Sequence, residues 1–333
     1  MMKSIKCALI EGHSWPSVDD PTQHLFGFRN YTFEIVDSDY LVSVDILGPA
    51  DHCPDIYHYY LIADELATSP LPLFIPYANR VALLKESPRF IKKLNVRRML
   101  KTFPVIITNL ASFFPAVPKV DVVPFSSNFL GVNPSRSNFL LAPPVAKTKL
   151  CSMIANLGHD ATDPGYSFRS KVYGIASCSR FVDMYGLDSN PLDFKIDGLT
   201  DYMFSISMEN CREDFYFTEK LVDCFLTGVI PVYWGCPSVG EFFDSRGILS
   251  FNSIDEFPAL LSSLSANLYR QMMPYAEKNM QIAFTSEFAD YEGYLKRVLS
   301  RVLARSKFQP VPFKMERNLL SKLKSKIRRL RFA

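Results

Sequence analysis

The stretch that most limits the fold runs from Tyr202 to Gly235, YMFSISMENCREDFYFTEKLVDCFLTGVIPVYWG. Tyr202–Met208 reads as an apolar strand. Glu219–Thr227 reads as an amphipathic helix, with Thr218 as its N-cap and Gly228 in the position just past its end. Val229–Gly235 is a second apolar strand. A strand, helix and strand in this order form a crossover that joins parallel strands, so the surrounding sheet should be parallel. The helix start is unusual. Glu219 suits the positive end of the helix dipole, whereas Lys220 in the next position does not. The lysine makes sense if an anion docks there, because free N–H groups, the dipole and an ammonium would together hold a diphosphate. A solvated surface lysine is the alternative.

The rest of the chain repeats the alternation. Strands are expected at 5–10, 31–36, 40–47, 55–65, 103–109 and 119–125, and helical spacing with a basic face over 79–102, interrupted by Pro88. GVNPSRSNFLLAPPVAKT (131–148) is rich in Pro, Ser and Asn and reads as a linker. Beyond it come a strand at 149–157, a helix at 168–178, the crossover, and helices at 254–266, 267–284 and 289–305. The expected organisation is an α/β domain over 1–145, a second over 146–305, and a tail over 306–333, with ligands bound beyond the carboxyl ends of the strands.

Composition narrows the class. The chain has 333 residues, 48% hydrophobic and 21% charged, as expected of packed globular domains. Its net charge of +3 is unevenly spread: Lys314–Ala333 carries eight basic residues and one acid, leaving a mildly acidic body. Seven cysteines without a C-x-x-C pair read as reduced thiols, and the apolar run in MMKSIKCALIEGHSW is too short for a signal peptide, so a cytoplasmic location is expected. No run reaches the length needed to span a bilayer.

The crossover resembles the donor-binding motif of family 10 glycosyltransferases, the α-1,3/4-fucosyltransferases. The matching residues, in order, are Glu209-Asn210, Tyr216, Thr218-Glu219-Lys220, Gly228 and Pro231-Val232. A second stretch, KTKLCSMIANLGHDATDPGYSFRSKVYGIASCSRFVDMYG, resembles the same family and places its helix arginine at Arg169. The resemblance covers about 146–260. It implies a GT-B fold of two Rossmann-like domains facing a central cleft, and inverting transfer of fucose from GDP-fucose to a glycan hydroxyl. It also implies that Arg169 and Lys220 hold the diphosphate, and that Asn210, Tyr216 and Glu219 contact the donor. No cofactor or metal ion is expected, because arginine, lysine and helix N–H groups can stabilise the leaving phosphate. A transferase using another nucleotide sugar, or a non-catalytic binding protein that kept the donor site, are the rival readings.

An inverting transferase needs a general base. The family's Glu motif does not stand in this sequence. The nearest counterpart is Glu65 in YYLIADELATSP, followed by Asp64 and then Asp51-His52; a solvated loop acid is the alternative for Glu65. Asp37-Ser-Asp39 is read as a turn rather than a metal site; His13 and Trp15 follow the first strand and either border the cleft or, as is commoner for a lone histidine, are structural. Cys211 and Cys236 are read as packing residues. In the tail, Leu319, Leu320, Leu323, Ile327 and Leu330 fall at helical spacing between basic residues, a pattern suited to an anionic membrane surface and a lipid-linked or surface glycan acceptor. The basic run lacks interleaved aromatics, which argues against nucleic acid.

Overall fold

The structure is a computed structural model and describes residues 4–16, 24–36, 39–45, 58–88, 91, 94–131, 146–157, 163–186 and 190–305. It divides into two compact units. The first comprises Met1–Val123 with Lys296–Ala333, and the second Pro124–Leu295. The basic tail, Asp37, Asp51 and His52 lie outside the described residues, as does much of the expected linker.

The first unit is built on a seven-stranded mixed sheet. Its strands are β1 (Ser4–Pro16), β2 (His24–Val36), β3 (Asp39–Asp45), β4 (Tyr59–Ala63), β5 (Arg80–Leu84), β6 (Val105–Thr108) and β7 (Val120–Val122), in the order β3-β2-β1-β4-β5-β6-β7. β1 to β3 pair antiparallel, with Val36 opposite Asp39, and β1, β4, β5, β6 and β7 pair parallel. Cys7–Ile10, Tyr59–Ala63, Val81–Leu84 and Val105–Thr108 are buried along their whole lengths. Such unbroken apolar runs are what parallel strands covered on both faces require. His13 and Trp15 lie on the far half of β1, and their side chains are outside the described ones.

Two expectations are corrected here. The helical spacing over 79–102 conceals strand β5, and among the described residues the α-helix in this range is Val96–Thr102 (α2). A buried run as short as Val81-Ala82-Leu83-Leu84 fits either periodicity, and here pairing with β4 and β6 decides. Asn95 starts α2 by accepting the Arg98 N–H on its side chain. The strand expected to run to Glu65 ends at Ala63, and helix α1 (Asp64–Thr68) begins at once. Asp64 is buried with φ 44°, and its Oδ1 accepts the N–H groups of Lys85 and Glu86 at 2.8 and 3.0 Å. It therefore ties the end of β4 to the end of β5. Glu65 lies in α1, and its side chain is outside the described ones.

The second unit carries a five-stranded, all-parallel sheet of β8 (Lys149–Ile154), β9 (Val182–Tyr185), β10 (Tyr202–Met208), β11 (Ile230–Trp234) and β12 (Leu249–Ser250), in the order β12-β11-β10-β8-β9. Its helices are α3 (Pro164–Ser177), α4 (Glu219–Leu226), α5 (Glu256–Ser263) and α6 (Ala266–Thr285); α7 (Tyr291–Ala304) begins in this unit and continues into the first. Both faces of the sheet are covered. Ile230, Val232 and Trp234 join one apolar cluster with α3, α5 and α6, while Tyr233 joins another with α4. Thr227 and Gly228, at φ +66°, close α4 as the sequence leads one to expect, with the Val229 N–H reaching the Cys224 carbonyl at 2.8 Å.

Burial raises the Asp64 carboxyl from an ordinary 3.8 to about 7. Between those values the folded state holds a proton that the unfolded state has lost, so stability falls as pH rises through this window, by at most about 1.4 kcal/mol per pH unit. Asp64→Asn keeps an acceptor for Lys85 and Glu86 and tolerates the positive φ. Its unfolding midpoint should exceed the parent's by a small margin at pH 4.5 and by a larger one at pH 8. A gap that does not widen with pH would contradict this account.

Candidate functional site

In the second sheet the chain passes from β8 outward to β9, then returns to place β10 on the other side of β8. A reversal of this kind opens a crevice beyond the carboxyl ends of the two central strands. A pocket of about 470 Å³ lies there, lined among others by Ala155 and Asn156 after β8, Ser207 from β10, Asn210 from the loop after it, Arg169 from α3, and Glu219 and Lys220 from α4. The even positions of β10, Phe204, Ile206 and Met208, belong to the core cluster with α3. Ile206 and Met208 also border the pocket, as do the odd positions Ser205 and Ser207, whose small side chains leave room on their face.

Arg169 reaches the crevice because α3 starts close to it. Asp163 caps the helix, its Oδ1 accepting from Gly165 and Tyr166 N–H groups, with Pro164 in the first turn. Gly165 lies so near the loop after β10 that a Cβ would stand 2.1 Å from the Asn210 carbonyl oxygen. Arg169 is 6% exposed. Its Nη2 donates to the carbonyls of Met208 and Glu209, both at 3.1 Å, and to Asn210 Oδ1 at 2.9 Å, with the guanidinium over the Tyr166 ring. One edge of the fork therefore closes off the end of β10. Its Nε and Nη1 have no hydrogen-bond partner among the described residues.

The other wall is built on Glu209, which is fully buried. Its two oxygens accept from Thr218 N (2.8 Å) and Thr218 Oγ1 (2.7 Å), joining the end of β10 to the cap of α4. Lys220 Nζ donates to Glu219 Oε1 at 2.9 Å and Thr218 Oγ1 at 3.1 Å, and lies 3.8 Å from Glu209 Oε2. Burial pushes the Glu209 carboxyl up, partly offset by Lys220. Burial opposes the Lys220 charge, but Glu219 and Glu209 outweigh it and keep the ammonium ionised. Burial likewise raises Glu219, and Lys220 and Lys195 more than reverse this, holding it at about 2.

Arg169, Asn210, Glu219 and Lys220 thus share one pocket. Tyr216 does not line it; at 1% exposure it is a core residue of the loop before α4. Glu65 belongs to the first unit. Cys236 is buried and Cys211 partly so; burial raises both thiols, as fits packing residues. Sequence reasoning missed one pair, Lys195 and Asp223, 2.7 Å apart. Lys195 lines the pocket, and Asp223 is buried beneath it on α4. The signal was a lone acid among Leu221, Val222, Cys224 and Phe225, a core position where a charge needs a partner.

Two glycines of α3 test how the helix sets Arg169. Gly165→Ala forces Cβ into the Asn210 backbone and should destabilise the protein by roughly 1–3 kcal/mol. Gly174→Ala meets nothing within 4 Å and should stabilise it by about 0.5–1 kcal/mol through helix propensity. Chemical denaturation of the two variants checks both signs.

Residues 165–288 match the family model described as Glycosyltransferase family 10 (fucosyltransferase) C-term. Over 101 residues the chain is 28% identical to an alpha-(1,3)-fucosyltransferase, FucT, of Helicobacter pylori, covering 29% of this chain and 21% of that protein. Over 80 residues it is 32% identical to the human GDP-fucose protein O-fucosyltransferase 3, covering 23% and 17%. The matched stretches thus span about a fifth of these relatives or less. A crystal structure of an alpha1,3-fucosyltransferase with GDP-fucose aligns at 17% identity and TM-score 0.48, over 76% of this chain and 79% of that one. Arg169, Asn210, Glu219 and Lys220 all fall within the family match, and residues 165–288 of the second unit are similar in sequence to the C-terminal domain of glycosyltransferase family 10, the fucosyltransferases.

Proposed function

We propose that the protein is an inverting glycosyltransferase that moves fucose from GDP-fucose to a hydroxyl of a glycan acceptor. The observation that carries this reading is the meeting of Arg169 and Lys220 in one pocket at the switch point of a parallel sheet, inside the fucosyltransferase-related stretch. In the reaction the acceptor oxygen bonds to the anomeric carbon as the bond from that carbon to the β-phosphate breaks. The electron pair leaves on GDP, and a base takes the acceptor proton. Negative charge grows on the phosphate, and fixed donors aimed at it lower the barrier. Arg169 would supply its free edge, Lys220 its ammonium and α4 its first N–H groups. Asn210 holds Arg169 in place, and Glu219, at the pocket edge and ionised, is an acceptor for ribose or sugar hydroxyls. Glu65 is assigned as the base, and the phosphates are held without a divalent ion.

Calorimetry with GDP and UDP, followed by a transfer assay, tests this. GDP should bind and UDP should not. Lys220→Ala and Arg169→Ala should each weaken GDP binding by roughly 10- to 100-fold, the worth of a charge-assisted hydrogen bond, and lower turnover with it. Glu65→Gln should abolish transfer and leave GDP affinity unchanged, and EDTA should leave turnover intact. Unaltered binding and activity in Lys220→Ala would remove the donor site; GDP binding without any turnover would favour a binding protein.

A further inference from the structure

The pocket has a second region that the phosphate-binding residues do not use. Phe129 and Phe194 both line it, yet they are 75% and 50% exposed, among the most exposed large apolar side chains described. The segments that carry them are fastened side by side. The Ile196 N–H donates to the Leu130 carbonyl at 3.2 Å. Gly131, at φ +81°, lies so close that a Cβ would stand 2.7 Å from Phe194 Cδ1. The buried Asp223 completes the fastening: Oδ1 accepts the Phe129 N–H at 3.0 Å, and Oδ2 accepts from Lys195 Nζ at 2.7 Å. One carboxylate therefore sets the backbone beneath one ring and the ammonium next in sequence to the other. Lys195 keeps two further N–H donors, which have no partner among the described residues.

Exposed rings carried on fastened backbone at a pocket wall suit a flat ligand face. Asp223 is fully buried, so what it presents to the pocket beside the rings is the Lys195 ammonium. An ammonium beside aromatic side chains suits a planar base with acceptors along one edge. Guanine presents O6 and N7, both acceptors, whereas adenine places an amino donor where O6 would be.

We propose that Phe129, Phe194 and Lys195, organised by Asp223, form the base subsite of the pocket, with the rings stacking on a purine and Lys195 selecting a 6-oxo purine over adenine. This rests on the nucleotide-sugar reading above. The probes are GDP, ADP and inorganic pyrophosphate, titrated calorimetrically into the full chain. The parent should prefer GDP to ADP by tenfold or more. Phe129→Leu with Phe194→Leu keeps apolar bulk on exposed positions and should weaken GDP by roughly tenfold while leaving pyrophosphate unchanged. Lys195→Met alone would strand a buried carboxylate, so it is paired with Asp223→Asn, which preserves an acceptor for Phe129. That double variant should lose most of the preference for GDP over ADP. GDP affinity unmoved in the phenylalanine variant, or an unchanged GDP-to-ADP ratio in the lysine variant, overturns the subsite. A parent that binds neither GDP nor pyrophosphate overturns the donor reading itself, and the subsite with it.

Discussion

The second unit depends on one buried carboxylate. Glu209 directly follows β10, and both of its oxygens are committed to Thr218, which caps α4. The loop between them therefore begins and ends at one hydrogen-bonded point, however its middle is arranged. The Glu209 N–H donates to the Trp234 carbonyl, so the same residue continues the pairing with β11. Gly235 is required beside it, since a Cβ there would lie 2.5 Å from Glu209 Cγ. Burying a carboxylate costs several kcal/mol unless it is well paired. Three groups meet that cost here: the Thr218 N–H, the Thr218 hydroxyl and the nearby Lys220 charge.

From that point the geometry spreads outward. Fixing Thr218 fixes the direction in which α4 presents its first N–H groups and the root of Lys220. Fixing the end of β10 fixes the carbonyls of Met208 and Glu209, and these two with Asn210 orient Arg169. The two cations thus come from different helices, yet both are referenced to the same strand end. A parallel sheet with a switch point offers the crevice, and the carboxylate decides which side chains point into it.

The sequence made the second unit far more legible than the first. The crossover announced itself through the Thr218 cap, the Gly228 stop and two short apolar strands, and those signals are local. Arg169, Asn210, Glu219 and Lys220 came from a motif whose order is also local. What stayed hidden was pairing at a distance. Lys195 and Asp223 are 28 residues apart, and no periodicity links them. Tyr216 stands in the motif, but burial depends on how the loop folds over α4. In the first unit, Val81–Leu84 was ambiguous because four buried residues satisfy both periods, and Asp64 looked like a strand end when its side chain in fact ties two strands together.

The odd start of α4 now has a physical account. A lysine in the first turn opposes the helix dipole, and burial opposes its charge again. It is tolerated because Glu219 and Glu209 flank it, and these acids suit the positive end of the helix. Across the pocket the same device recurs, with Asp223 behind Lys195. Counting Arg169, Lys195 and Lys220 against Asp193, Glu209, Glu219 and Asp223, the formal charge is slightly negative, not positive. The pocket is therefore not a general sink for anions drawn by a net field. Under the proposed function, a diphosphate would be held by short-range donors already aimed by buried acids, a preorganised arrangement that discriminates by shape and distance rather than by charge alone.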